Sequence, residues 1–390
     1  MLTFPTYHTL CEHTRATRLA SPPSTQLKTT VLAMRLLENN RNASIEEARQ
    51  KAETTLQQLS KIIEGMPSAD TSVIVHGSLA RYECTQGSDL DWTLLVDGQA
   101  DAKDQKIFLD IKGALSNKSI FKDLDLKQPG PEGTFGALEF SQPIVHFIGG
   151  EDDSNSNTTR RVLLLLEALP IGEKLDAFKR VRNGILKRYI DEDHRLLQMR
   201  NGEKTVRWVP LFLLNDFARY WRTITVDFVY KQFDRGNEGY ALRNIKLGLS
   251  RKLLFASGLL ACFWCDPIIS KKENQELSKQ SLIDRLDTFL SLTPLERIAL
   301  FFTTHLNISE SKSLRENAKE LFCAYDAFLG LLNDSDKRKR LKELRQDEEK
   351  SDEVFKEAWK TRKVFRNAIQ DMFFGKDSPL RDHSIERGVF

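Results

Sequence analysis

Between Val73 and Val96 the chain reads VIVHGSLARYECTQGSDLDWTLLV. An apolar run, Val73 to Val75, ends at Gly77-Ser78. The chain then returns through Ser88-Asp89-Leu90-Asp91 into a second apolar run, Trp92 to Val96. Runs of this length bounded by turn residues predict two buried strands. The intervening Leu79–Gln86 reads as a helix. Around this unit the pattern is helical. Residues 24–39 and 44–65 predict two helices, the second with Ser44 as N-cap and Glu47 three residues on. Within 70–150, β-like runs alternate with one helical stretch, 102–115. Gly130, Gly133 and Gly136 punctuate a loop before Ala137–Ile148, which reads as a strand or paired strands. Beyond Asn157 the helical period dominates: 158–169, 173–191, 207–231, 240–263, 279–290, 293–304, 311–332 and 336–374. No internal repeat is visible.

These elements predict an α+β chain. A loosely packed arm and helical lead occupy 1–66 and a small mixed-sheet unit 67–155. A larger all-helical domain follows at 156–375, with a tail at 376–390. The 390 residues suit more than one domain, and 40% hydrophobic content suffices for a real core. No apolar run approaches the roughly 20 residues of a membrane span. The N-terminus lacks a basic start followed by an apolar core, so a cytoplasmic protein without a membrane partner is expected. Cys11, Cys84 and Cys323 are isolated, and Cys262 and Cys265 form a C-x-x-C inside the apolar LLACFWC. Without a second pair to complete a zinc site, reduced core thiols are expected.

Net charge is +3, too small to argue for nucleic acid by itself. From Arg200 to Lys252, however, eleven Lys/Arg face five Asp/Glu, an excess suited to phosphate handling. The charged segment 333–352 alternates in sign and reads as a solvated helix or loop.

The chemistry concentrates at the Gly-Ser and Asp-x-Asp pair. Strand alternation places Asp89 and Asp91 on one face. Two like charges side by side call for cations between them, and Mg2+ (or Mn2+), held by a few carboxylates and substrate phosphates, fits. Glycine after a strand lets backbone approach a ligand closely, and Ser78 adds a hydroxyl. Gly77 and Ser78 are therefore candidate binders of a triphosphate, with Asp89 and Asp91 as catalytic metal ligands. His76 and His146 read as packing or hydrogen-bonding residues, and Arg81 and Glu83 as a local surface or helix pair.

Gly77-Ser78, ten intervening residues, then Asp89-Leu90-Asp91 between two strands resembles the nucleotidyltransferase superfamily of the DNA polymerase β type. Within it, the order of helical lead, α/β unit and helical C-terminal domain is similar to the bacterial group of protein-PII uridylyltransferase-like proteins. The resemblance is specific over about 70–150. It is looser over 155–255, where RRVLLLLEALPIGE and LRNIKLGLSRK carry it, and absent beyond 270. It implies transfer of a nucleoside monophosphate from a nucleoside triphosphate to an acceptor hydroxyl, with release of pyrophosphate. It also implies a third carboxylate on a later strand. If His146 matches that group's histidine after this strand, Glu139 in GALEFSQPIVHFIGG stands where the group carries aspartate. The other reading of Glu139 is an exposed strand residue. Glu132 and Glu151-Asp152-Asp153 are weaker candidates, and the latter run reads as a cap for the following helix.

Two helical constellations are candidates for the covering face. Asp216, Arg219, Thr223 and Asp227 form a polar stripe on an apolar and aromatic helix, either an internal Asp–Arg network or a nucleotide-facing surface. Arg243, Lys246 and Ser250 share one face, opposite Leu242, Ile245 and Leu249, and offer cations to phosphate. The acceptor is open between a protein side chain, an RNA 3′ end and another nucleotide, and oligomeric state is not readable. No H…H-D phosphohydrolase block is present. The rival reading is a catalytically degenerate nucleotide-binding or protein-interaction module of the same fold.

Overall fold

The computed structural model describes residues 43–99, 101–116, 126–127, 135–193, 196, 199–200, 203–204, 208–234, 238–271, 278–306 and 312–388. The expectations for 1–39, Gly130, Glu132 and Gly133 lie outside them. The chain is a mixed, mostly helical protein with a small four-stranded mixed sheet.

The first half contains α1 (Ala43–Ile62), β1 (Thr71–Val75), α2 (Gly77–Ala80), β2 (Ser88–Asp89), β3 (Trp92–Val96), α3 (Ala102–Leu115), β4 (Leu126–Lys127), β5 (Ala137–Phe140), α4 (Ser141–His146), α5 (Asn155–Leu166), β6 (Leu169–Ile171) and α6 (Asp176–Glu192). After the short pair β7 (Met199–Arg200) and β8 (Glu203–Lys204) come α7 (Leu211–Asp234), α8 (Tyr240–Lys246), a π-helical turn (Leu247–Arg251) and α9 (Lys252–Phe263). The remaining helices are α10 (Pro267–Ser270), α11 (Lys279–Leu290), α12 (Pro294–Leu306), α13 (Lys312–Asn333), α14 (Ser335–Glu343), α15 (Glu353–Phe374) and α16 (Arg381–Arg387).

The sheet runs β5-β3-β1-β6. β1 is antiparallel to both β3 and β6, and β3 is parallel to β5. All five residues of β1 and of β3 are buried, because both sheet faces are covered. Val73, Val75, Trp92 and Leu94 pack beneath α1 and α3 through Leu56, Leu59, Phe108 and Ile111. Ile74 and Leu95, on the opposite face, join the α5 and α6 residues Leu165 and Phe178 in a core continuous with the C-terminal helices.

Several boundaries differ from the sequence reading. Ala137–Ile148 is one strand followed by a short helix, not paired strands. β6 fills the gap between the expected helices 158–169 and 173–191; its Pro170 is tolerated because β6 is an edge strand. Ser44 does not cap α1, since the amides of Ser44 and Ile45 are satisfied by Asp326 of α13, each at 2.9 Å. The segment 336–374 splits into α14 and α15, and the tail contains α16. Cys84, Cys262 and Cys265 are buried, and burial pushes Cys265 up to about 12. Among the described residues no helix is long and apolar enough to cross a membrane.

Candidate active site

The turn after β1 is built by an unusual pair of backbone conformations. Gly77 has φ +71°, a region open chiefly to glycine. A Cβ there would lie 2.8 Å from Asp91 Oδ2, so the missing side chain is the space in which the Asp91 carboxylate rests. The expected helix over Leu79–Gln86 is only the single turn of α2. It ends because Tyr82 enters the left-handed region at φ 59°, with Glu83 N donating to Ser78 O at 2.8 Å and Tyr82 N to Leu79 O at 3.2 Å. That double closure is the Schellman motif, here with tyrosine in the usual glycine position. The Arg49 guanidinium lies 5.4 Å from the Tyr82 ring centre.

Gly77, Ser78, Asp89 and Asp91 meet at one cavity of about 90 Å3. Its opposite walls are Lys246, Ser250 and Arg251 around the π-helical turn, and Phe328, Leu329, Leu332 and Arg338 from α13 and α14. Burial raises Asp91 to about 6; Arg251 opposes the shift, while neighbouring Asp89 and then Glu167 add to it. Burial also lowers Lys246 to about 8, aided by Arg338 and opposed by Asp89. Carboxylates and cations thus face each other across a partly dry gap. A wider surface groove of about 620 Å3 between Glu238 and residues 342–347 contains none of the candidate residues.

Arg81 and Glu83, which also line the cavity, do form a pair, Nε to Oε2 at 2.8 Å, but a buried one instead of a surface one. Arg81 also bonds Glu167, which Arg251 approaches at 3.6 Å. Burial disfavours each of these charges, yet the partners hold the Arg81 pKa up and the Glu167 pKa down. His76 Nε2 meets Thr93 Oγ1 at 3.2 Å, and its ring packs on Phe135. Burial lowers it to about 4, so the ring is neutral and structural.

Glu139 does not line the cavity with Asp89 and Asp91. Glu139 pairs in register with Leu95, four residues along β3 from Asp91. That is roughly 13 Å at about 3.3 Å per residue. Its partner is Arg160, Nε to Oε1 at 3.1 Å, and burial raises it to about 7 against the opposing Arg160 charge. Beside the start of β3 stand Phe135 and Gly136, the latter donating to Trp92 O at 2.6 Å. Among the described residues no third His, Cys, Asp or Glu joins the two aspartates as a metal cluster. The acidic run does not cap α5 either; Ser154 does, accepting from Asn157 N at 3.1 Å.

Arg219 and Arg243 also lie away from the cavity. Arg219 bonds Asp153 through Oδ2 at 2.9 Å and the backbone carbonyl at 2.6 Å. Arg161 joins Asp153 and Asp216 at 2.8 Å each, and Tyr189 bonds Asp216. Asp216 and Arg219 thus belong to an internal network locking α5, α6 and α7, as buried charge requires, while Asp227, further along the stripe, is exposed and pairs with Lys231 at 2.6 Å. Arg243 turns back to the Glu238 carbonyl at the start of α8.

Arg251 and Arg338 were not singled out from the sequence. Five residues after Lys246, Arg251 would sit about 140° away on an α-helix; the intervening π turn lets both line the cavity. Arg338 belongs to the charged segment, whose alternation gives no sign that one arginine folds inward. It donates to the Gln86 carbonyl, to Gly87 O at 2.7 Å and to Thr85 Oγ1 at 3.3 Å. Asn333 adds a bond from Gln86 N at 3.1 Å. Together they clamp the loop that leads into Asp89.

No protein-family model matches the chain, and no curated protein sequence matches it.

Proposed function

We propose that this cavity binds the phosphates of a nucleoside triphosphate with Mg2+ (or Mn2+), and that the protein transfers the nucleoside monophosphate to an acceptor hydroxyl. The acceptor oxygen attacks the α-phosphorus and gives up its proton to solvent, the bond to the β-phosphate oxygen breaks, and pyrophosphate leaves. One observation carries the reading: the Gly77–Ser78 turn, the Asp89/Asp91 pair, Lys246 and Arg251 line the same small cavity. Asp89 and Asp91 would hold the ion. The donor set fits, because two neighbouring carboxylates, one with its charge disfavoured by burial, gain from a divalent cation. The bound ion would supply charge neutralisation at the phosphate oxygens. Lys246, protonated below about pH 8, and Arg251 supply fixed positive charge from the opposite wall. The Gly77 turn holds Asp91 in place without a Cβ between them.

About 90 Å3 accommodates phosphate groups and an ion, against roughly 300–1,000 Å3 for typical ligand pockets. The nucleoside therefore lies toward the mouth, or the Arg338 wall shifts to admit it. The placement of Glu139 supports a second reading, a nucleotide-binding module of the same fold without transfer.

The test is incubation with each α-labelled triphosphate, Mg2+ or Mn2+ and cell extract, alongside equilibrium binding. Label entering protein, RNA or a small molecule, lost in Asp89→Asn/Asp91→Asn, supports transfer. Metal-dependent binding without pyrophosphate release selects the second reading. Absence of both overturns each.

A further inference from the structure

On the outer side of the π-helical turn lies a second group of cations that the proposed site does not use. Lys246, Ser250 and Arg251 face the cavity, but the next residue, Lys252, packs instead toward α7 and α15. Its ammonium lies 5.7 Å from the Trp221 ring centre, and Trp221 stacks on Phe255 at 5.2 Å. Arg362 of α15 covers Trp359 at 4.5 Å and donates to Asn244 Oδ1 at 2.8 Å. Arg366 is exposed one turn further along α15. Burial, then the charges of Arg362 and Arg366, holds Lys252 below its ordinary range. Among the described residues none of these three cations forms an ion pair with a carboxylate. Like charges gathered without counter-charges cost free energy that a polyanion would relieve.

The group is tied directly to the proposed site. Arg362 passes so close to the π turn that a Cβ on Gly248 would lie 1.9 Å from its Nε. Gly248 therefore makes room for a cation on the outside of the turn whose inner side bears Lys246 and Arg251. Trp359 remains 45% exposed, with Phe355 stacked on its ring at 5.7 Å and the Arg362 guanidinium covering it, so the guanidinium plane is what this indole presents outward. Cations interleaved with aromatic rings suit a flexible phosphodiester chain, because the charges follow the backbone and every base has a face to stack. An acidic peptide offers the charge but no comparable stacking partner.

We propose that Lys252, Arg362 and Arg366, with Trp221 and Trp359, form a landing surface for single-stranded nucleic acid. This rests on the proposed transfer reading only in naming the strand's terminal hydroxyl as acceptor; the binding itself stands apart.

Anisotropy of labelled 20-nucleotide RNA and DNA strands, titrated with full-length protein at 50–200 mM salt, tests it. Three phosphate contacts give a log–log salt slope of about −2, so affinity falls about 20-fold over that range. Lys252→Gln/Arg366→Gln, which retains side-chain bulk, should reduce the slope to about −0.7 and the fall to about threefold. Trp359→Ala should weaken binding at all salt concentrations, with unchanged thermal melting in each variant. The RNA and DNA arms decide which strand is preferred. Equal affinity for a polyglutamate peptide of matched charge, or wild-type slopes in the double variant, would overturn the proposal. Asp89→Asn/Asp91→Asn protein should bind strands at least as tightly as wild type. Strand binding without any transfer would fail the transfer reading alone. Transfer in the absence of salt-dependent strand binding would fail this one alone.

Discussion

Asp91→Asn should make the metal-free protein more stable, although it removes a residue the proposed function requires. Burial raises the Asp91 carboxyl from 3.8 to about 6, with the nearby Asp89 charge adding to the effect. The folded state therefore holds the proton more tightly than the unfolded chain. Below about pH 4 the carboxyl is neutral in both states and there is no penalty. As pH rises to about 6 the penalty grows, and above that it is complete. A shift of about two units corresponds to about 3 kcal/mol, an upper figure because solvent reaches part of the group. Urea unfolding of wild type and Asp91→Asn at pH 7.5, free of metal, should show the variant more stable by up to that amount. The difference should vanish near pH 3.5. Adding Mn2+ at about a hundred times its dissociation constant should stabilise wild type by about 2.7 kcal/mol, and the variant far less. A variant less stable than wild type at pH 7.5 without metal would refute the reasoning. So would equal stabilisation of both proteins by Mn2+.

Gly77→Ala forces a side chain to φ +71° and onto Asp91 Oδ2. About 1–2 kcal/mol of stability should be lost from the backbone alone, with Mn2+ affinity falling as Asp91 is displaced; unchanged Mn2+ titrations would show that the carboxylate need not rest on the turn. Lys246→Met should weaken triphosphate binding at pH 7 by at least about tenfold, or about 1.4 kcal/mol. Wild-type affinity should decline as pH rises through about 8, where the buried ammonium loses its charge, while the Met variant stays flat. Glu139→Gln should leave Mn2+ affinity within about twofold, since Glu139 lies far along β3 and pairs with Arg160; a tenfold loss would return it to the metal site.

Sequence pattern was sufficient for β1, β3 and the Gly77-Ser78 turn that follows β1. Those features rest on local rules, apolar runs and a glycine where φ is positive; the expected alternation of Asp89 and Asp91 along one strand is not found, because Asp89 ends β2 and Asp91 lies between β2 and β3. The same rules located most of the helices after residue 155, because their apolar faces repeat with the helical period. They missed β6, since three residues between two helical runs carry no period of their own. They also misread Leu79–Gln86, where helix propensity yields to the left-handed Tyr82 held against Arg49.

The partners of the site belong to the tertiary structure. Helical period alone grouped Arg243 with Lys246, but Arg243 turns back to its own helix start. A π turn, set by packing on α15 through Gly248 and Arg362, brings Arg251 to the cavity instead. Arg338 reaches the loop before Asp89 across some 250 residues of chain, and no local pattern encodes a contact of that separation. Glu139 sits on the expected strand, but the parallel register of β5 on β3 places it beside Leu95 instead of Asp91. Register is set by how two sheet faces bury their side chains against helices from distant parts of the chain. The sequence by itself therefore determined β1, β3 and the Gly77 turn, whose geometry is local. Only the folded structure decided which cations face Asp89 and Asp91 and which carboxylate does not, because those positions depend on long-range packing.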